Sequence, residues 1–240
     1  MNTSYLPAAL VLALGVAVGG WFVADGLVTS REPLRTVVVK GLAERAVRAD
    51  LGFWPVRFVA TGSDLEQARA KLEQSETLVR TFMQDKGFTD ANLQVQNITV
   101  EDRLAGFYSG QTSAEVRYVL TEEMLVRSED VTALAAAAQS VADLLRVGVV
   151  FTSDAWSAGP SFIFTGINDL KTEMLAEATT RAREAAQQFA TESHATVGNI
   201  QSANQGVFEV LPAVEIPNDR PEKQIDKRVR VVTTITYFLE

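Results

Sequence analysis

The chain opens on an unbroken apolar stretch. From Met1 to Ala24 no side chain is charged, and the run from Tyr5 to Ala24 is almost wholly hydrophobic. At about 1.5 Å rise per residue this run spans roughly the 30 Å hydrocarbon core of a bilayer, which predicts a transmembrane helix. Tyr5 and Trp21 fall near its two ends, where amphipathic rings favour the membrane interface. Gly15 and Gly19, with the row Ala9, Ala13 and Ala17, offer a small-residue face on which a second helix could pack closely. A cleaved signal peptide would want basic residues at its start and small residues before the cut. Met1-Asn2-Thr3-Ser4 has no base, and Phe22 with Ala24 fits a cleavage site poorly, so the segment is expected to stay on the protein.

Beyond residue 28 the pattern switches between period two and period 3.6. Thr36–Gly41 and Leu51–Thr61 read as strands, with Pro55 suggesting a bulge or an edge position. Ser63 and Glu66 form a capping box ahead of Leu65, Ala68, Leu72, Leu78 or Val79, and Phe82, which repeat at helical spacing until Gly87. Asn92–Arg103 reads as a strand with Leu93, Val95, Asn97 and Thr99 on one face. It pairs as a hairpin with Ala114–Val126. A second helix is predicted from Ser128, with Val131, Leu134, Ala138, Val141 and Leu145 in a stripe and Gly148 at its end. Short strands follow at Val149–Thr152 and Ser161–Phe164. A third, longest helix is capped by Asn168 and carries Leu170, Met174, Ala178, Ala182, Ala185 and Phe189 on one face, with Glu177 and Arg181 paired on the other. That stripe is mostly alanine and predicts close packing on a sheet. Val197–Val210 and Gln224–Phe238 are the last strands, joined by a proline-rich loop over 211–223, and Asn204-Gln205-Gly206 marks a bend at which glycine takes a special dihedral. The expectation is an α+β chain: an anchor over 1–28, then one domain over 29–240 with a mixed, mainly antiparallel sheet and three helices.

Charge and composition narrow the function. With 30 acidic and 22 basic side chains the net charge is -8, which argues against nucleic acid as a partner. There is no cysteine and one histidine, so thiol chemistry, disulfides and a structural zinc site are excluded. Phosphate-cradling glycine loops are absent: Gly106-x-x-x-Gly110 lacks the Lys-Ser/Thr that would follow. Arg31, Arg35, Lys40, Arg45 and Arg48 follow the anchor, and by the positive-inside rule they favour a cytoplasmic domain.

The series Val37–Arg45 ahead of a strand, Gly166-Ile167-Asn168-Asp169 opening an alanine-rich helix, Ser202–Phe208, and Gln224–Val231 at the end resembles the SIMPL-domain family over essentially everything after Arg35. The resemblance implies an α+β fold, a bacterial envelope location, large ring-like or hollow oligomers, and a link to oxidative stress. It implies no enzyme activity and no cofactor. It places the domain in the periplasm, on an inner-membrane, single-pass anchor, against the local charge bias. A eukaryotic relative suggests a second possibility, an adaptor module that offers a groove to a protein partner.

No residue set points to catalysis. Ser193 beside His194 lacks a third member, and a histidine at a helix end is favourable in its own right. Glu122 and Glu123 are adjacent on a strand, so they point to opposite faces and cannot readily share a cation; both are expected on a solvated surface, while Asp130 stabilises a helix start. No metal ligand is assigned. Phe107, Tyr108 and Trp156 sit at loop tips, where aromatic side chains serve as interface anchors. The expected partners are therefore membrane lipid, further copies of the chain and a protein partner still to be identified.

Overall fold

The computed structural model describes residues 6–29, 35–105, 116–152, 159–217 and 220–240, with the side chains of the first helix described over 11–24. Helix α1 (Leu6–Thr29) is followed by β1 (Thr36–Arg48), β2 (Leu51–Gly62), α2 (Leu65–Asp85), β3 (Leu93–Asp102) and β4 (Tyr118–Ser128). Then come α3 (Val131–Gln139), α4 (Ala142–Arg146), β5 (Val150–Phe151), β6 (Ser161–Ile163), the long α5 (Ile167–Glu192), β7 (Val197–Gln205), β8 (Glu209–Pro212) and β9 (Asp226–Leu239). The fold is α+β, and every strand pairing with a defined register is antiparallel.

The chain divides into two compact units: Met1–Gly41 with Thr179–Asn204 and Thr233–Glu240, and Leu42–Ala178 with Gln205–Val232. In the first, Val39, Ile235 and Tyr237 bury against Ala182 and Ala186 of α5. In the second, Ala43, Val229 and Val231 bury against Met174 and Ala178. Alanine at these α5 positions lets the helix lie close on its strands, as the sequence predicts. The stripe drifts, however. Ala186 and Ala190 are buried in place of Ala185 and Phe189, and Phe189 is 60 % exposed. A helix of 3.6 residues per turn reaches the same face at 178, 182, 186 and 190, which carries 189 off it.

The larger core of the second unit lies on a five-stranded sheet in the order β3-β4-β2-β5, with β6 also beside β2. One face of β2 presents Trp54, Val56, Phe58 and Ala60, opposite Val126, Met124, Glu122 and Leu120 of β4. Helix α2 covers them with Ala68, Leu72, Val79 and Met83, and α3 and α4 add Leu134, Ala137 and Leu144. Removing one such buried large side chain costs about 2–5 kcal/mol. Gly62 is required by this packing, because a Cβ there would lie 2.7 Å from the backbone nitrogen of Ala68 at the start of α2.

Several local expectations shift. Asp64, not Ser63, caps α2: its carboxylate accepts the Gln67 N–H at 2.9 Å, while Gln67 reaches back to the Ser63 N–H at 3.1 Å. Gly87 takes the left-handed conformation at φ 92, as a helix-ending glycine should. Asp130 caps α3 through the Thr132 and Ala133 N–H groups, and Ser128 ends β4. The predicted second helix breaks at Ser140 and Val141 into α3 and α4, so the part after the anchor has four α-helices among the described residues. The break resets the phase and buries Leu144 instead of Leu145. Pro55 lies in full register with Leu125 inside the sheet, without a bulge. On its other side β6 pairs residues 51–53 and β5 pairs 58–59, so no neighbouring strand calls for the N–H that proline lacks. Asn168 falls inside α5, where its carbonyl oxygen accepts from Lys171. The predicted strand Val197–Val210 divides into β7 and β8 around Gly206. The reason is close approach rather than a positive φ: a Cβ there would meet the Val232 carbonyl oxygen at 2.4 Å.

Among the described residues no helix is long and apolar enough to cross a membrane. For α1 those residues are the fourteen from 11 to 24, all of them exposed.

Candidate functional site

The β3–β4 hairpin is the least covered part of the second unit. Leu93 and Val95 of β3 stand opposite Val126 and Met124, on the core face. A bulge between Val95 and Asn97 then shifts the register by one residue, and a one-residue slip exchanges faces. Asn97 and Thr99 pass to the outer face opposite Glu123 and Thr121, and Ile98 and Val100 come to the inner one opposite Glu122 and Leu120. The predicted single face of Leu93, Val95, Asn97 and Thr99 is therefore broken at the bulge. Helix α2 packs on β2 and β4, and Ile98 and Val100 stay about half exposed, at 52 % and 53 %. β3 thus ends its sheet with both faces open to solvent along residues 94–101.

The base of this hairpin is clamped. Arg117 donates to both carboxylate oxygens of Asp102, at 2.8 Å from Nη2 and 3.1 Å from Nε, and the guanidinium lies 4.9 Å from the Tyr118 ring centroid. The bond from Arg117 holds the Asp102 carboxyl down at about 2, and the Leu104 N–H adds to the effect. The pair stays charged at any physiological pH and fixes the point from which residues 106–115 depart.

On the outer face Arg57 and Glu123 are cross-strand neighbours joined at 2.9 Å. Asn97, Thr99, Thr121 and Thr152 surround them, lining an open pocket of about 410 Å³. The arrangement offers hydrogen-bond donors and acceptors around one balanced ion pair. It holds no nucleophile with a base beside it.

On the inner face Glu122 departs from expectation. It is 1 % exposed rather than solvated, and its Oε1 has no hydrogen-bond partner among the described residues. Burial raises its carboxyl from 4.5 to about 7, the Glu76 carboxylate pushes it further, and the Arg80 guanidinium pulls it back. Arg80 is engaged elsewhere, with Glu76 at 2.8 Å and Asp90 at 3.4 Å. Glu122 and Glu123 do point to opposite faces. The alternation Leu120, Glu122, Met124, Val126 was the sequence signal for burial.

Tyr5, Phe107, Tyr108 and Trp156 lie outside the described residues. Trp21 is exposed on α1 with its ring 5.8 Å from that of Phe22, and Gly15 and Gly19 have open space around them. Ser193 and His194 form no catalytic pair: the serine hydroxyl donates to the Phe189 and Ala190 carbonyls, and His194 closes the helix with φ 54. Glu177 takes Arg45 at 2.6 Å, and Arg45 also holds Glu173 at 2.7 Å. Among the described residues no acidic or histidine cluster has the arrangement of a metal site.

These strands and the long helix, in this order, are the part of the chain that matches a family model, SIMPL, described as a protein of unknown function (DUF541), over residues 37–236. The chain belongs to the SIMPL family. The match begins at β1 and runs almost to the end of β9, so both compact units lie within it and α1 precedes it. No curated protein matches the chain.

Proposed function

We propose that this SIMPL protein is a membrane-anchored, self-assembling component of a bacterial envelope, without catalytic activity. The observation that carries the reading is α1: a 24-residue helix whose Val11, Leu12, Leu14, Val16, Trp21, Phe22 and Val23 stand exposed. Apolar side chains along a whole helix need a lipid or protein surface. An anchor of this kind holds every copy in one plane and one orientation, so weak lateral contacts become effective. The open β3 strand, with Ile98 and Val100 uncovered beside the tip that carries Phe107 and Tyr108, supports assembly through this hairpin. The large domain faces the periplasm in this reading, with a role in envelope or oxidative stress. Alkaline carbonate extraction tests the anchor: the protein stays in the membrane pellet, whereas release into the supernatant refutes it.

A second reading, a monomeric adaptor, draws on the same open strand, which offers unpaired backbone groups to a partner's strand. The mass of the extracted protein separates the two.

A further inference from the structure

Lys227 of β9 is 3 % exposed, in line with the core residues Val229 and Val231. Burying an ammonium costs several kcal/mol unless it is paired. Its Nζ donates to the Pro221 carbonyl at 2.7 Å, and among the described residues no carboxylate lies within ion-pair distance of it. Two of its three N–H donors are left without a protein acceptor. Beside it, β6, β8 and the turn at Pro221–Lys223 enclose a pocket of about 250 Å³ lined by Phe162, Phe164, Val210, Pro221, Glu222 and Lys227. The turn is fixed at this spot by Lys223, which donates to the Gly159 and Pro160 carbonyls at 3.1 and 3.2 Å.

We propose that this pocket binds a small carboxylate with an apolar body, its carboxylate paired with the Lys227 ammonium and its hydrocarbon part set against Phe162, Phe164 and Val210. A carboxylate accepts both free N–H groups and returns the counter-charge that the fold omits. The walls select against a purely inorganic anion, and the pocket is smaller than those that hold drug-sized ligands, which run to about 300–1,000 Å³. Burial lowers the amine's proton affinity in the empty site, and the field of Glu222 opposes this only in part, so a bound carboxylate restores the charged form. Glu222 limits the site to one negative charge, since a dianion would meet its carboxylate.

The site stands apart from the anchor and the hairpin, so its test does not depend on the function proposed above. The full chain in lipid nanodiscs is titrated calorimetrically with benzoate and hexanoate, and with benzamide and hexanamide, against empty nanodiscs. At least one acid is expected to saturate with one site per chain, at least tenfold tighter than its amide. Lys227→Met is expected to weaken the acid tenfold or more. Val210→Trp, which fills the pocket and keeps the amine, should abolish binding with an unchanged circular dichroism spectrum. Should Lys227→Met fail to fold, the Val210→Trp comparison decides. No saturable heat from either acid, equal binding of acid and amide, or undiminished binding by a folded variant would overturn the proposal.

Discussion

A carboxyl group closed off from water holds its proton more tightly than the same group in the unfolded chain, and this makes stability depend on pH. Glu122 titrates at about 7 in the fold against 4.5 ordinarily. The folded protein therefore binds the extra proton between these values. Its favourable contribution is complete below pH 4.5 and is lost as pH rises through about 7. A gap of this size corresponds to roughly 3 kcal/mol at most. Glu122→Gln, which is neutral at every pH, should leave the melting temperature unchanged near pH 4.5. At pH 8 it should raise stability by about 1–3 kcal/mol and flatten the slope between. A variant less stable than the parent at pH 8 would mean that the ionised carboxylate is well paired in the fold. At this scale the sequence showed the residue and its alternation but not its surroundings. Opposite faces for Glu122 and Glu123 followed from strand geometry alone. That one of the faces is dry depended on α2 crossing it, a long-range fact. Lys227 was hidden in the same way: nothing local distinguishes it from Arg228 and Arg230, its exposed neighbours on the strand.

The elements were more legible than their edges. Period and punctuation placed the strands and helices, and Gly87 and Asp130 occupy the termini assigned to them. Phase was harder to read. A single irregular step at Ser140 moved the buried position from Leu145 to Leu144, and the bulge at Gln96 turned half of β3 over. Such steps are set by packing partners rather than by the residues themselves. The drift along α5 gives a direct check. Ala186 is fully buried among Val39, Ile235 and Tyr237, whereas Phe189 lies open. Ala186→Leu should destabilise by about 1–3 kcal/mol through overpacking. Phe189→Lys should stay within about 0.5 kcal/mol of the parent in chemical denaturation. The reverse order would show that the helix is turned to the face first read from its sequence. Gly62→Ala forces a Cβ onto the backbone at the start of α2, and a fall in stability of about 1–3 kcal/mol is expected.

At the scale of the molecule, family membership rests on the order of elements along 37–236, and that order was visible as a series of short resembling stretches. The candidate interface was visible only as aromatic residues in loops. Its neighbour, the uncovered half of β3, depends on how far α2 extends over the sheet, which no local pattern encodes. Assembly through this hairpin makes a specific demand: Ile98→Lys with Val100→Lys, placed on exposed positions, should keep the fold and lower the assembled mass. Closed assembly satisfies complementary patches without open-ended growth, so a discrete size is expected rather than a ladder. The most direct test is native mass spectrometry of the full chain extracted from membranes in mild detergent. The expected result is a single discrete multiple of the 26.1 kDa protomer, with each subunit retaining the residues before Asp25. A lone protomer, or a subunit that begins at or after Asp25, would contradict the account.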